Sequence, residues 1–229
     1  MPAHELDNPF WNSLQTRHRH IALRSGEVAR YPREFAPFLG VAFAEADIAD
    51  AIESLVAVEE SVYLLGVLPD VPSGWQVEAF RPLAQMVCAQ PLEVIDGPEI
   101  IPLDETHRGD VLALTALVYP HYFRERTMEM GRYFGIYEDS RLAAIIGERL
   151  GTDAYTEMSA ICTHPDFNGR GYARRLTAML ANDTMARGRT PFLHVSHENT
   201  RAKRLYEQVG FRHRRDIGFW SLRRSGMTA

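Results

Sequence analysis

The chain has 229 residues, 45% hydrophobic and 24% charged, which is ordinary globular usage and excludes a disordered or fibrous protein. No stretch approaches the roughly eighteen consecutive apolar residues a membrane-spanning helix needs, and the acidic opening MPAHELDNPFWN lacks the apolar segment of a secretory signal. Cys88 and Cys162 are too few for a disulfide framework or a four-thiolate zinc site, so a reducing cytoplasm is the expected location and no metal is expected. The net charge of −5 is unevenly shared. Residues 1–96 carry 6 Lys+Arg against 14 Asp+Glu, residues 97–229 carry 19 against 16, and the stretch 164–215 carries 11 against 4. That split predicts two lobes, the second suited to a polyanion. A nucleic acid, a nucleotide cofactor and a merely solvated basic face all satisfy it.

In chain order, Phe10, Trp11 and Leu14 stand at helical spacing behind Asp7, Asn8 and Pro9, which suit a helix start. Ala46–Val58 reads as a helix with Ile48, Ile52, Leu55 and Val56 on one face, and Glu59-Glu60 as a solvated turn. Val62–Leu68 and Val77–Ala89 read as strands. This α/β half carries no motif tied to chemistry, and its Trp and Phe residues read as core. The segment 91–98, containing Asp96-Gly97-Pro98, is the linker candidate. It divides an N-terminal α/β lobe over 1–92 from a second unit over 97–229.

The second unit opens with a short strand, Glu99–Leu103, and a helix capped by Asp104 and stopped by Pro120. Tyr133–Tyr137 and Leu142–Leu150 read as a hairpin turning at Glu138-Asp139-Ser140, and Tyr155–Thr163 as the next strand. A helix runs to about Ala186, followed by a strand over 191–196, a helix over Thr200–Val209 and a strand pair over 211–222.

Between strand and helix lies Asn168-Gly169-Arg170-Gly171-Tyr172-Ala173. Two glycines one residue apart permit backbone conformations that other residues resist. The helix behind them offers free N–H groups at its positive end, an anion site to which Arg170, Arg174 and Arg175 would add charge. A purely steric use of glycine in a tight turn fits equally well. No Gly-Lys-Ser/Thr follows, and Arg174 stands where a dinucleotide fingerprint needs Gly or Ala, so both of those phosphate cradles are excluded.

Three segments carry a family resemblance: Met158-Ser-Ala-Ile-Cys-Thr-His-Pro165, Asn168-Gly-Arg-Gly-Tyr-Ala173, and Asn199-Thr-Arg-Ala-Lys-Arg-Leu-Tyr206-Glu-Gln-Val-Gly-Phe211. Together they resemble the GCN5-related N-acetyltransferase (GNAT) superfamily, and within it the glycine N-acyltransferase-like branch, over roughly 99–224. The resemblance implies an α/β (α+β) fold with a mixed central sheet flanked by helices, with residues 1–92 as a degenerate copy of it. It also implies acetyl-CoA or another acyl-CoA as co-substrate. Main-chain groups of Ile161, Cys162 and Thr163 would pair with the pantetheine arm along a splayed strand. The pyrophosphate would sit on Asn168, Gly169, Arg170, Gly171, Tyr172, Ala173 and Arg174. Asn168 departs from the Gln or Arg the family prefers there, which shortens or removes one side-chain contact to phosphate.

Acyl transfer to an amine needs a deprotonated nucleophile, a polarised carbonyl and a proton for the leaving thiolate. Tyr206 matches the family's general acid, although its apolar helical face also fits a core residue. Glu157 matches a general base, with burial expected to raise its pKa, and an outward-facing carboxylate is the alternative. Asn199 is expected to cap its helix while touching the cofactor, and Lys203 and Arg204 to reach toward phosphate or into solvent. Cys162 has no identifiable base and reads as a small structural residue rather than a nucleophile. The expected activity is acetyl transfer to a primary amine of a small molecule or peptide, the acidic first half attracting a cationic acceptor. A non-catalytic acyl-CoA sensor is the alternative, and the acidic half argues against nucleic acid.

Overall fold

The computed structural model describes residues 4–224, so the outermost residues of the expected 1–92 and 97–229 units lie outside the described residues. Helix α1 (Pro9–Gln15) begins at the expected proline. Asn8 does not cap it through its side chain but donates its amide to the Val41 carbonyl at 2.7 Å. A meander of β1 (Leu23–Ser25), β2 (Val28–Arg30) and β3 (Leu39–Val41) follows, then α2 (Ala49–Leu55) and β4 (Ser61–Leu65). Before β4, Glu59 has φ 64° in a turn as expected. Glu60 is not merely solvated, because it holds the buried Arg30 through bonds of 2.9 and 2.5 Å. The expected strand over 77–89 is two strands, β5 (Trp75–Ala79) and β6 (Leu83–Val87), parted where Pro82 removes a ladder donor.

The second half matches its pattern closely. It runs β7 (Ile101–Leu103), α3 (Arg108–Val118), β8 (Tyr133–Glu138), β9 (Arg141–Gly151), β10 (Tyr155–Thr163), α4 (Tyr172–Ala186), β11 (Thr190–Ser196), α5 (Thr200–Val209), β12 (Arg212–Ile217) and β13 (Phe219–Arg224). The β8–β9 hairpin turns at Asp139 and Ser140, both with positive φ (49° and 62°), as a tight hairpin demands.

Seven strands form the central sheet in the order β12-β6-β11-β10-β9-β8-β7. It is mixed, with β10 parallel to β11 and every other neighbouring pair antiparallel. Strand β6 comes from the first half yet sits between β11 and β12, and the last strand, β13, lies between β4 and β5. The linker at 91–98 therefore does not separate two sheets, and residues 1–92 are not a second copy of the fold. They form a small antiparallel meander and lend the remaining strands to sheets completed by the C-terminal residues.

Side chains tie the halves together. Fully buried Gln85 on β6 donates to the Leu6 carbonyl at 2.8 Å and accepts from Arg214 at 2.7 Å. Asp7 pairs with Arg214 and Arg215, and Arg17 with Glu148. Helix α4 packs Leu176, Leu180 and Ala181 against Ile146, Met158 and Leu193 on one face of the sheet. On the other face, Phe10 and Leu14 of α1 share a core with Phe192, Ile217 and Phe219.

Candidate active site

Strands β10 and β11 pair only from Tyr155↔Thr190 to Glu157↔Phe192, and beyond Glu157 they part. On its other edge β10 slips register against β9 between Ser159 and Cys162, with Ala160 at φ 51°. A left-handed non-glycine residue at a bulge is a strained arrangement found most often at working sites. The divergence opens a cavity of about 770 Å³ lined by Ser159, Ala160, Ile161 and Cys162 on one side and by His194, Val195 and Ser196 on the other. Asn199, Ala202 and Tyr206 of α5 line it as well.

Past Cys162 the strand leads to a second hollow of about 240 Å³, lined by Thr163, by every residue from Asn168 to Arg174, and by Arg201, Leu205, Gln208 and Val209 of α5. Gly169 and Gly171 have φ of 82° and 80°, so both are in the region that favours glycine. A Cβ on Gly171 would meet Ile95 at 3.1 Å, whereas one on Gly169 would face open space. The first N–H groups of α4 border this hollow with no helical acceptor. Arg170 and Arg174 are half-exposed beside it, held at long range by Glu138 (4.0 Å) and Glu93 (3.7 Å). Arg175 does not join them, because its guanidinium donates to the carbonyls of Ile95 and Pro98 and ties the linker to α4. Lys203 lies beside His197 at 3.4 Å, outside the lining of both hollows.

Arg201 is the basic residue of α5 that reaches the glycine turn, its Nη2 lying 3.4 Å from Asn168 Oδ1. It was legible only as part of the helix bearing Asn199. The side chain of Asn199 caps that helix, accepting from the Ala202 N–H at 3.1 Å.

Tyr206 belongs both to the core and to the cavity wall. It is 7% exposed and packs in the main core, yet it lines the large cavity. Burial pushes its phenol well above the ordinary tyrosine value, so it stays protonated near neutrality. Cys162 is buried and unpaired, and burial pushes its thiol up to about 12, which makes it a poor nucleophile.

Glu157 behaves differently from expectation. It is fully buried and absent from the cavity lining, its oxygens accepting from Arg149 Nε and Nη2 at 2.8 Å each and from the Leu150 N–H at 3.3 Å. His194 Nδ1 adds a fourth contact at 2.7 Å. Burial alone would raise its pKa as the sequence suggests, but the Arg149 charge and the hydrogen bonds from Arg149 and His194 outweigh it and hold the carboxyl well below the usual carboxylate range. Arg149 and His194, not Glu157, border the cavity.

The cavity's remaining wall was not read from the sequence. Phe10, Phe38 and Phe80 from the first half line it, together with Tyr119, Tyr122 and Phe219. The acidic residues of the first half stay away. Among the described residues Glu198 is the one carboxylate in the lining, and it faces solvent in a pair with Arg81. No group of three or more His, Cys, Asp or Glu side chains suited to a metal occurs among the described residues, and no helix there is long and apolar enough to cross a membrane.

A mixed sheet flanked by helices and splayed beside a glycine-lined hollow is an arrangement whose fold known acetyltransferases share. A GNAT-family chain from Novosphingobium aromaticivorans, known from its crystal structure, is 33% identical, with the match covering 98% of this chain and 100% of that one at a TM-score of 0.88. The family model described as FR47-like protein matches residues 133–220. A GCN5-related N-acetyltransferase from Kribbella flavida shares the fold at 15% identity, over 95% of both chains with a TM-score of 0.64. The [ribosomal protein bS18]-alanine N-acetyltransferase of Haemophilus ducreyi is 42% identical over 52 residues, which is 22% of this chain. The match spans about a third of that relative, 36% of its length. The chain belongs to the GNAT family of N-acetyltransferases.

Proposed function

We propose that the chain moves an acetyl group from acetyl-CoA to a primary amine by direct attack within one ternary complex. The observation that carries this reading is the continuity of the splayed β10 edge with the Gly169–Gly171 hollow. That track suits an extended arm ending in a pyrophosphate. Acetyl-CoA supplies a thioester whose carbonyl accepts the amine. Ile161, Cys162 and Thr163 offer main-chain groups to the arm, and Asn168 to Arg174 receive the phosphates at the start of α4. Arg201 adds the charge that Asn168 lacks, while Asn199 fixes the start of α5.

As the carbon–sulfur bond breaks, the Tyr206 phenol gives its proton to the departing sulfur and regains one from the water of the open cavity. Glu157 already has its lone pairs filled by Arg149, His194 and a main-chain N–H, so it positions those two side chains and takes no proton itself. The amine proton leaves through the water of the open cavity. Membership of the glycine N-acyltransferase-like branch rests on the motifs of residues 158–211. The acceptor is a small-molecule or peptide amine, since the Haemophilus relative is named for an alanine on a ribosomal protein. Two buried, unpaired thiols suit a reducing cytoplasm.

Calorimetry with acetyl-CoA, wild type against Gly171→Trp, tests the donor site. Binding in the micromolar range that is lost in the variant supports it. No binding by the wild type overturns it.

A further inference from the structure

The acceptor end of the large cavity has a wall of rings brought together from distant parts of the chain. Phe10 stacks on Phe38 with centroids 4.4 Å apart, and Phe38 lies 6.2 Å from Tyr122. Tyr122 meets Phe219 edge-on at 6.0 Å, and Phe80 lies 5.3 Å from Phe219. Leu65 and Val118 line the same cavity, as does Tyr119, which is 44% exposed. Apart from the solvent-facing Arg81–Glu198 pair, Arg149 brings charge to this wall. The Arg149 guanidinium lies over the Phe38 ring at 5.0 Å and spends Nε and Nη2 on Glu157. Its Nη1 donates to nothing among the described residues, and the side chain keeps 16% exposure into the cavity.

From this arrangement we propose that the acceptor is a small primary amine built on an aromatic ring. The inference rests on the acetyl-transfer reading above and names its substrate class. The ring packs among Phe38, Tyr122 and Phe219, where offset and edge-on contacts add to the gain from burial. The free Nη1 edge of Arg149 takes a carbonyl or carboxylate oxygen carried near the amine. A polyamine fits poorly, because a further ammonium group would meet the like charge of Arg149, and Glu198 at the rim is the one lining carboxylate among the described residues.

The test is release of free thiol from acetyl-CoA with six acceptors at matched concentration: phenethylamine, phenylalanine, phenylalaninamide, glycine, spermidine and a peptide beginning with alanine. The expected result is a kcat/KM for the best aromatic amine roughly 100-fold above glycine and spermidine, the factor that burial of one ring supplies. A Tyr119→Ser variant, altered at an exposed lining residue, should raise KM for that amine about tenfold and leave acetyl-CoA binding unchanged. Preference for spermidine or for the alanine peptide overturns the aromatic assignment while sparing acetyl transfer. Thiol release with none of the six also overturns it, and calorimetry with acetyl-CoA then shows whether the donor site falls too.

Discussion

Arg149 and Glu157, on adjacent antiparallel strands, meet through two parallel N–H···O bonds of 2.8 Å with the carboxylate wholly out of solvent. The pair joins the core of the sheet to the cavity, since Arg149 is the member that emerges into it. Removing one partner leaves a charge uncompensated, which costs about 3–5 kcal/mol in buried pairs. Glu157→Gln should therefore lower thermal stability by an amount of that order, as read by thermal unfolding. Because its proton is not needed for the chemistry, whatever activity remains should keep the wild-type pH profile. A variant of unchanged stability with an abolished high-pH activity would instead make Glu157 the base.

Tyr206→Phe separates the proton donor from the packing. The ring stays in the core, so stability and acetyl-CoA binding should stay near wild type. Without the phenol, kcat should fall by about 100- to 10,000-fold, the range for one positioned acid. Steady-state kinetics beside calorimetry checks this, and an unchanged kcat would return Tyr206 to a purely structural role.

Arg201→Ala tests whether the guanidinium near Asn168 compensates for the missing Gln or Arg. A hydrogen bond to a charged group contributes about 1.5–3 kcal/mol, so acetyl-CoA should bind at least about tenfold more weakly, with little change for a coenzyme fragment lacking phosphates. Lys203→Ala, outside both hollows, is the control and should bind as wild type.

His18 supplies a pH dependence of stability. It is 2% exposed, with Nε2 against the Met130 carbonyl at 2.8 Å and Nδ1 between Ser13 and Tyr31. Burial lowers its pKa from 6.5 to about 4. The unfolded chain thus binds the proton more readily, so this contribution is fully present above pH 6.5 and is lost as pH falls toward 4. The loss is on the order of 3 kcal/mol. Urea unfolding at stepped pH should show it, and His18→Gln should flatten the slope in that window.

A fragment of residues 97–229 should fail to fold. It lacks β6, so β11 and β12 would face each other across an empty position, and β13 would lose both of its neighbours. The expected outcome is insoluble protein, or soluble protein without a cooperative thermal transition. A cooperative, acetyl-CoA-binding fragment would show the first half to be dispensable.

Much of the second half was legible because two local signals coincide there. Thr200–Val209 combines a capping Asn, a helical apolar face and Gly210 at φ 119°, so its boundaries follow from nearby residues alone. The glycine turn was legible for the same reason. Strand partners were not, because alternation along Leu83–Val87 records which side chains point inward and not which strand lies alongside. The pKa of Glu157 failed similarly. Burial could be guessed from its neighbours on the strand, but Arg149 and His194 reach it only after three strands assemble. The aromatic wall was invisible because its rings are spread from residue 10 to residue 219, and each looks locally like an ordinary core residue.

The interleaved strand order sets a timetable for synthesis. Strand β6 is made before residue 90, yet both of its neighbours lie between residues 190 and 217. At about 5–20 residues per second, the ribosome needs on the order of ten seconds to deliver them. Throughout that interval Leu83–Val87 lacks both of its native strand partners. Contacts this distant in sequence form slowly even in the released chain. The nascent protein should thus depend on chaperone protection more than its modest size suggests.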